Sequence, residues 1–525
     1  MRNNKETIKI LRDEAISAFN TVKSDFIELE KGYLAKIDDN VKDYLKRHGK
    51  SHIEQKIIFA KVRKIERELM KTYFSNSRLA DVEVVGRPEL TEILQNELDC
   101  LSNQKLNLYT SIRQNITQML VYGTSIVKVY FDTKTNCVKI QPKRINEVLI
   151  DPYAKSHFDA KYFVDCFYMS VGDIKRIFKK NVKNIDFDNL DNTNATLLQK
   201  KAQNNNLGDY KRILIYEIYR KINDDWYLST MINDEFIRCD VKLKDGHPFC
   251  FGIAFPQFVR IDETNAIRSY GASYIEPMIP IQKQFIVTRN QQMDAIYMQL
   301  HPRLLCERNS GLRDDDLKLN SQKIVVNNLA SIKDLPVPHL SDSIFDVNQL
   351  DTELQEVGGL PKLLQGLTST GMPRNATGMN ILNESGNAVI DDIITSYNES
   401  FFEPFIQRIL KLTYKYKIDE RFVNFDRRSD ISLKINVNAG VGAMSRDVKL
   451  NNLSASKNSL MTMEKMLLEA GLTDKAFEYI KVLDSLTKDE LKALGTKNTD
   501  ELISLGIKEP TQMQETQIPQ LSEQQ

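Results

Sequence analysis

The sequence predicts an α+β protein of several domains, mainly helical with an antiparallel β body. The chain has 525 residues, which exceeds the size at which one hydrophobic core keeps growing. Apolar residues recur at helical spacing near both ends, whereas segments between residues 124 and 240 alternate apolar and polar side chains. A hydrophobic content of 41% and a charged content of 27% are typical of a globular protein.

The N-terminal part is predicted to be helical from residue 5 to residue 74, with a break at Gly49. Pro88 opens a second long helix that ends before Gly123, because glycine after the last apolar residue is a common helix stop.

The β body begins with a hairpin, SIVKVYFD and CVKIQPKRI. The strand KYFVDCFYM follows, then a short helix with Ser170 as N-cap. RILIYEIYRK, WYLSTMI and EFIRCD read as an antiparallel meander. The prolines in HPFCFGIAFPQFV argue against a central strand, so we expect this segment to wrap the body.

A helical hairpin between Tyr270 and Gly366 organises the rest of the chain. The first helix ends at Pro302, a compact insert follows, and FDVNQLDTELQEV returns as the second helix until Gly358. The insert is too small to hold much core of its own, which favours an oligomer.

The first helix carries an apolar stripe at intervals of seven, typical of a seam between packed helices: Ile279, Ile286, Met293 and Leu300. We expect Gln282, Arg289 and Gln292 to lie elsewhere on the helix surface.

After the hairpin, a Gly/Thr/Ser/Pro loop carries Arg374, and a long helix with a kink at Pro404 follows. DISLKINVNAG is predicted as a strand that returns to the earlier sheet. A helical segment from Ser445 and a Gln-rich, disordered tail complete the chain.

The chemistry of common enzymes is missing from the sequence. It has no phosphate-binding G-x-x-x-x-G-K-[ST] motif, and Ile275 replaces the second glycine of a nucleophile elbow after Gly271. The aspartates at 314–316 are typical of a solvated loop. None of the six cysteines forms a C-x-x-C pair, which indicates reduced thiols in a cytoplasmic protein. We therefore expect no enzymatic activity, no metal and no cofactor.

Charge and hydropathy also limit the partners. Lys+Arg number 72 and Asp+Glu 71, so contact with nucleic acid should be local or transient. The polar start MRNNKETIKI and the lack of a long apolar run predict no signal peptide and no membrane partner.

Several segments, in this order and spacing, resemble one known family. They are YGTSIVKVYFD, IQPKRINEVLIDPYAK, SVGDIKRIF, YGASYIEPMIPIQKQFIVTRNQQMD, GGLPKLLQG, RNATGMNILNE and FFEPFIQRIL. The chain resembles the portal, or head-to-tail connector, proteins of tailed double-stranded DNA bacteriophages, closest to the short-tailed, podovirus-like type.

The resemblance implies a portal-like fold with a two-helix stem, a small α/β clip and a helical crown. It divides the chain into a wing (1–270), an outgoing stem helix (271–302), a clip (303–343), a returning stem helix (344–365), a tunnel loop (366–378), a kinked helix with a wing strand (379–443), a crown (444–508) and a disordered tail (509–525).

The resemblance also implies a function. The subunit would form a homo-oligomeric ring, of about twelve copies, at one capsid vertex of the virion after assembly in the host cytoplasm. Double-stranded DNA would be packaged and ejected through it. Its implied partners are the large terminase, tail adaptor proteins, and the major capsid and scaffolding proteins.

The resemblance assigns candidate sites. The DNA-facing candidates are Thr368, Ser369, Thr370, Met372, Arg374, Asn375, Lys283 and Arg289. The clip candidates for docking terminase or adaptor are Arg308, Arg313, Asp314, Asp315, Asp316 and Lys318. The apolar stripe of the first stem helix becomes the inter-subunit seam. The three basic residues among the DNA-facing candidates could equally be solvated or form ion pairs.

Two alternatives stay open at this point. One is a metal-dependent phosphate-ester hydrolase that uses the aspartate clusters. The other is a head–tail adaptor or minor capsid protein, although such proteins are usually shorter.

Overall fold

The computed structural model describes residues 2–74, 79–102, 107–182, 185, 208–256, 269–300, 304–306, 330, 332–334, 341–359, 389–423, 425, 431–437, 454–463, 465–466, 483 and 486–487. The chain forms two compact units. The first comprises Met1–Met70 and Lys105–Asp430, and the second comprises Lys71–Gln104 and Ile431–Gln525. Each unit therefore combines segments that are distant in sequence.

Three helices form the N-terminal part: α1 (Arg2–Leu34), α2 (Asp39–Arg47) and α3 (Ile57–Phe74). The predicted break at Gly49 is confirmed, because Gly49 follows α2 with a φ of +62°. β1 (Ala80–Val84) comes next in the chain.

The helix predicted from Pro88 to Gly123 is in fact two helices, α4 (Pro88–Cys100) and α5 (Leu108–Tyr122). The hydroxyl of Ser102 donates to the carbonyl of Asp99 at 3.0 Å, which competes with continued helical bonding. Gly123 ends α5 with a φ of +75°, as predicted.

Two antiparallel sheets make up the β body, which confirms the α+β class. The three-stranded sheet has the order β3-β2-β9, with β2 (Thr124–Asp132), β3 (Cys137–Lys143) and β9 (Phe249–Ile253). The five-stranded sheet has the order β4-β5-β6-β7-β8, with β4 (Val148–Ile150), β5 (Tyr162–Ser170), β6 (Arg212–Ile222), β7 (Asp225–Ile232) and β8 (Glu235–Leu243).

The predicted hairpin β2–β3 and the meander β6–β7–β8 are both confirmed by their pairing. Ser170 is confirmed as the N-cap of helix α6 (Val171–Phe178), where its hydroxyl accepts a hydrogen bond from the Asp173 amide at 3.2 Å.

The prediction that the segment around Phe249 is not a central strand is confirmed, whereas the expectation that it wraps the body is wrong. β9 pairs with β2 in register, Val127 opposite Cys250, as an edge strand of the three-stranded sheet. Pro248 and Pro256 lie just outside the strand, so neither removes a ladder hydrogen bond.

The second half of the chain adds α7 (Ile279–Leu300), β10 (Leu304–Cys306), β11 (Ile332–Asp334), α8 (Ser341–Val357), α9 (residues 389–397), α10 (Glu403–Tyr416) and β12 (Leu433–Val437). A π-helical turn, Asn398–Phe402, lies directly before Pro404. The ring of Pro404 cannot donate to the preceding turn, which explains the irregularity at the predicted kink.

The prediction that β12 returns to the earlier sheet is wrong. It pairs with β1 in a separate antiparallel pair, with Ala80 opposite Val437. β1 buries every second residue on one face, and its backbone edge pairs with β12. Both strands belong to the second unit.

The main core of the first unit lies between α1 and the sheets. Ile8, Ala15, Phe19 and Val22 of α1 pack in one cluster with residues of β4 and β5. Their spacing places them on one side of the helix.

A buried network of four charged groups joins the two sheets. The ammonium of Lys128 on β2 lies 2.7 Å from Asp165 of β5 and 2.8 Å from Glu217 of β6. Lys143 on β3 contacts the other oxygen of Asp165 at 2.7 Å. Two cations therefore face two carboxylates, which is the condition for tolerating buried charge. Burial alone would raise the pKa of Glu217, but Lys128 holds that pKa below its ordinary value.

Candidate functional site

Helix α7 occupies the segment expected to line a channel, and its neighbours determine what it can contact. It begins after a 3-10 turn, Glu276–Met278, with Pro277 and Pro280 at positions where helix starts tolerate proline. It packs against α1 and α8.

Helices α7 and α8 run antiparallel. The hydroxyl of Tyr274, just before α7, donates to the carbonyl of Gly358, just after α8, at 2.5 Å. Leu350 and Leu354 of α8 are buried. The end of the second helix is thus fixed to the start of the first. Burial raises the pKa of Tyr274, which keeps this phenol protonated as a hydrogen-bond donor.

Amide side chains of α7 attach it to the N-terminal segment. Gln282 donates to the carbonyl of Gly32 at 2.7 Å and accepts from the amide of Ile58 at 2.8 Å. Asn290 pairs with both backbone groups of Ile53, at 2.9 and 3.2 Å. The contact to Ile58 satisfies a backbone amide that would otherwise be buried without a partner.

Asp294 extends this row by accepting from the amide of Ser51 at 2.7 Å. Residues 282, 290 and 294 are spaced by eight and four, which places them on one helix face. That spacing was the available sequence signal for this docking face, and the seven-residue apolar stripe obscured it.

Two of the three polar residues expected on the surface of α7 are buried. Gln282 is 1% exposed and Gln292 is 3% exposed, so that expectation is wrong for both. Gln292 accepts a hydrogen bond from Arg289 at 2.9 Å, which holds the guanidinium along its own helix.

The four residues of the apolar stripe have different environments. Ile279 and Ile286 are buried within a single chain, Met293 is half-buried, and Leu300 is 71% exposed. Ile279 lies against Gly32 of α1, where an added Cβ would come within 2.6 Å of it. Of the four stripe residues, Leu300 alone is mostly exposed.

The two described DNA-facing candidates both have partners within the chain. The ammonium of Lys283 lies 2.7 Å from Glu28 of α1, with both side chains mostly exposed, and Arg289 contacts Gln292. An exposed pair of this kind is weak, so Lys283 can exchange partners.

The other predicted site residues lie outside the described residues. This applies to the tunnel-loop candidates Thr368, Ser369, Thr370, Met372, Arg374 and Asn375, and to the clip candidates Arg308, Arg313, Asp314, Asp315, Asp316 and Lys318.

Lys61 of α3 is a buried charge that the sequence did not single out. It is 6% exposed, and its ammonium has no hydrogen-bond partner among the described residues. Burial lowers the pKa of Lys61, while the nearby Asp351 of α8 opposes that shift.

Among the described residues, no group of three or more His, Cys, Asp or Glu side chains could hold a metal ion. No helix in the same residues is long and apolar enough to cross a bilayer.

Comparisons with known proteins identify the family. The family model of the phage SU10 portal protein matches residues 132–525, which is more than half of the chain. No curated protein matches.

Two solved structures are similar at low level. One is described as the virion of a native gene transfer agent (GTA) particle, with 9% identity, coverage of 82% of this chain and 89% of that chain, and a TM-score of 0.36. The other is the neck of an empty GTA particle, computed with C6 symmetry, with 10% identity, 82% and 90% coverage, and a TM-score of 0.34. At these TM-scores neither similarity bears on the fold of this chain.

The family match covers the β body from the end of β2 and both helices of the hairpin. It agrees with the resemblance found from the sequence segments, and it indicates a structural component of a phage rather than an enzyme. The chain belongs to the phage SU10 portal protein family.

Proposed function

We propose that this chain is the subunit of a ring-shaped portal at one vertex of a phage capsid. Double-stranded DNA is packaged through the ring and later ejected through it. The observation that carries the proposal is the match of residues 132–525 to the portal family.

In this proposal, α7 and α8 are the stem helices that line the channel. The bond from Tyr274 to Gly358 supports this role, because it fixes the two helices as one hairpin. The row formed by Gln282, Asn290 and Asp294 ties that hairpin to the N-terminal segment. A channel wall needs such attachment if it is to keep its position while DNA slides past.

The low net charge of the chain favours sliding of DNA over tight binding of DNA. The net charge is +1, and each phosphate neutralised by a fixed cation adds affinity that would slow translocation. A few cations remain for steering: Arg374 in the proposed tunnel loop, with Lys283 and Arg289 on α7.

The clip, residues 303–343, is proposed to dock the large terminase during packaging and tail adaptor proteins afterwards. Its charged segment, 313–316, is the proposed contact. Charge reversal there should leave ring assembly unchanged and weaken terminase binding.

The direct test is negative-stain electron microscopy together with mass photometry of the purified full chain over a range of concentrations. Rings with a central hole and a mass near twelve subunits are expected. A chain that stays monomeric at high concentration, with no ring in any image, contradicts the proposal.

A further inference from the structure

A groove between α1, α5 and residues 144–146 has a cavity of about 810 Å³ and belongs to the first unit. Its lining on α1 runs from Phe19 to Leu34, which is about 22 Å of helix. Its lining on α5 runs from Thr110 to Tyr122, which is about 18 Å. The groove therefore has the length of a helix of about four turns. We call this feature the basic groove.

The floor of the basic groove is apolar, and its aromatic rings pack against one another. The ring of Phe26 stacks on that of Phe19 at 5.8 Å, and the ring of Tyr122 meets Phe26 edge to face at 5.9 Å. Tyr270 also meets Phe26 edge to face, at 5.4 Å. Ile27 beside them is 45% exposed. Because each of these rings already packs on another ring, the floor suits aliphatic side chains better than stacked nucleobases.

The rim of the basic groove is positively charged. The charged residues of the lining are four cations and one acid: Lys23, Arg63, Arg113, Arg144 and Glu30. A second carboxylate, that of the buried Glu66, contacts two of the arginines from outside the lining. Counting both acids, the groove has an excess of two positive charges. A partner of complementary charge is therefore acidic.

The cations are spread along the groove rather than gathered at one point. Arg63 and Arg113 meet at the shared carboxylate of Glu66, and Arg113 lies in the first half of α5. Arg144 lies near Tyr122 at the other end of α5, about 14 Å of helix away. A single small anion cannot contact both ends. A ligand that does so must carry acidic groups more than two helical turns apart.

The carboxylate of Glu66 holds the two arginines in place. It is 2% exposed and accepts hydrogen bonds from Arg63, from the Nε of Arg113 and from the hydroxyl of Thr117. The guanidinium of Arg63 also lies over the ring of Phe59, 5.3 Å from its centroid. Among the described residues, the two terminal amino groups of Arg113 have no hydrogen-bond partner, and its side chain is 49% exposed. This guanidinium is thus fixed in position and open to a bidentate carboxylate.

We infer that the basic groove docks an acidic amphipathic helix of a partner protein. The apolar side chains of that helix would pack on the floor beside Ile27 and the ring of Phe26. Its carboxylates would meet Arg113 at one end of the groove and Arg144 at the other. The lining includes no residue of the proposed stem helices or clip, so the inference does not depend on the proposed channel.

Fluorescence anisotropy of a labelled peptide with the full chain tests the inference. The probe is a helical peptide of about 15 residues, the length of the groove, with leucine at every third or fourth position and glutamate at most others. Saturable binding is expected, and the same peptide with lysine in place of glutamate should not bind. Equal binding of the two peptides, or binding of neither, would overturn the inference.

Charge reversal on the rim should weaken binding of the acidic peptide. Lys23→Glu/Arg144→Glu alters two exposed side chains of the lining and should lower the affinity roughly tenfold or more. Lys139→Glu/Lys411→Glu, at two exposed lysines outside the groove, makes the same change of net charge and should leave the affinity unchanged. Unchanged circular dichroism and Trp226 fluorescence would show that the variants fold. Equal losses of affinity in the two double variants would overturn the inference, because net charge alone would then explain binding.

A photoreactive benzophenone at one end of the acidic peptide locates the site. Cross-links mapped by mass spectrometry are expected within residues 19–34, 110–122 or 144–146, and cross-links confined to other segments would contradict the inference. Single-stranded and duplex DNA of about 15 nucleotides are the competing ligands. If DNA displaces the peptide at equal concentration, and its binding is weakened by Lys23→Glu/Arg144→Glu, the groove is a nucleic-acid site and the inference is wrong.

Peptide binding and ring formation are separate measurements. Chains that form rings but bind no acidic peptide would overturn the inference and leave the portal proposal intact. Chains that bind the acidic peptide in the groove but form no ring would support the inference and contradict the portal proposal.

Discussion

Lys143 donates to Asp165 at 2.7 Å in a site where the two side chains are 2% and 0% exposed. The carboxylate of Asp165 also accepts a hydrogen bond from Lys128, so it links β3, β2 and β5. The two sheets of the β body are therefore joined by charge as well as by apolar packing.

Replacement of Asp165 by Asn should strongly destabilise the protein. It leaves two buried ammonium groups to share the single carboxylate of Glu217, and loss of one partner from a buried pair costs about 3–5 kcal/mol. Denaturant unfolding followed by the fluorescence of Trp226, the only tryptophan, measures the free energy of unfolding of this region. As a control, Asp209→Asn breaks an exposed pair with Lys175 and should cost less than about 1 kcal/mol. Equal losses in the two variants would contradict the role of the network.

Stability of the β body should fall as the pH drops below neutrality. Burial lowers the pKa of His157 to about 4, and the pKa of His247 is lowered to about 3 by burial and by the nearby Arg408 and His157. Because both values lie below the ordinary 6.5, the unfolded chain binds protons first, and stability is full above pH 6.5 and lost towards pH 4. At pH 5.5 each histidine should lower the free energy of unfolding by about 1.4 kcal/mol.

Urea unfolding at pH 7.5 and pH 5.5 measures this loss, and the window avoids most carboxylate titration. His157→Leu should remove about half of the pH dependence. His48→Gln, at an exposed histidine, should leave it unchanged. If the unsubstituted chain has the same free energy of unfolding at both pH values, the two histidines do not control its stability.

Replacement of Gln282 by Leu should loosen α7 from the N-terminal segment. The variant leaves the amide of Ile58 without its partner, at about 1–3 kcal/mol, and removes one of two donors to the carbonyl of Gly32, which still accepts from the amide of Ala35. Hydrogen exchange should speed up at Ile58 and its neighbours. Gln284→Leu, at an exposed position two residues along, is the matched control. Similar exchange rates in both variants would show that the amide bonds do not hold the helix.

Removal of the proposed steering cation should affect DNA movement and not assembly. Arg374→Ala is expected to reduce the yield of packaged DNA by roughly a few-fold, because fewer cations guide the phosphates. Ring mass by mass photometry should be unchanged. Lys242→Ala, at an exposed pair on β8, provides a control of equal charge change. The same packaging yield in all three chains would remove Arg374 from the DNA path.

Local features of this fold were readable from the sequence. The cap at Ser170, the turn between β2 and β3 and the stop at Gly123 each depend on residues a few positions apart. The strand partner of β12 could not be predicted, because β1 and β12 lie about 350 residues apart in sequence and pair only in the folded unit.

The buried network of Lys128, Lys143, Asp165 and Glu217 could not be predicted from the sequence either. Lys128 lies 37 residues from Asp165 and 89 residues from Glu217. No periodicity connects such positions, and each lysine alone resembles an ordinary strand residue on a solvated face. The burial of Gln282 was missed for a related reason, since its partners at Gly32 and Ile58 lie in other helices.

The pairing of β1 with β12 has a consequence for synthesis. Gln104 and Ile431 bound the two pieces of the second unit, and a ribosome adding about 5–20 residues per second needs roughly 16–65 seconds to cross the 326 residues between them (430 − 105 + 1). Through that interval β1, with its alternating apolar residues, has left the ribosome without its partner strand. Nascent chains that terminate early would expose this strand to aggregation, so yield in the cell should depend on translation speed and chaperone supply.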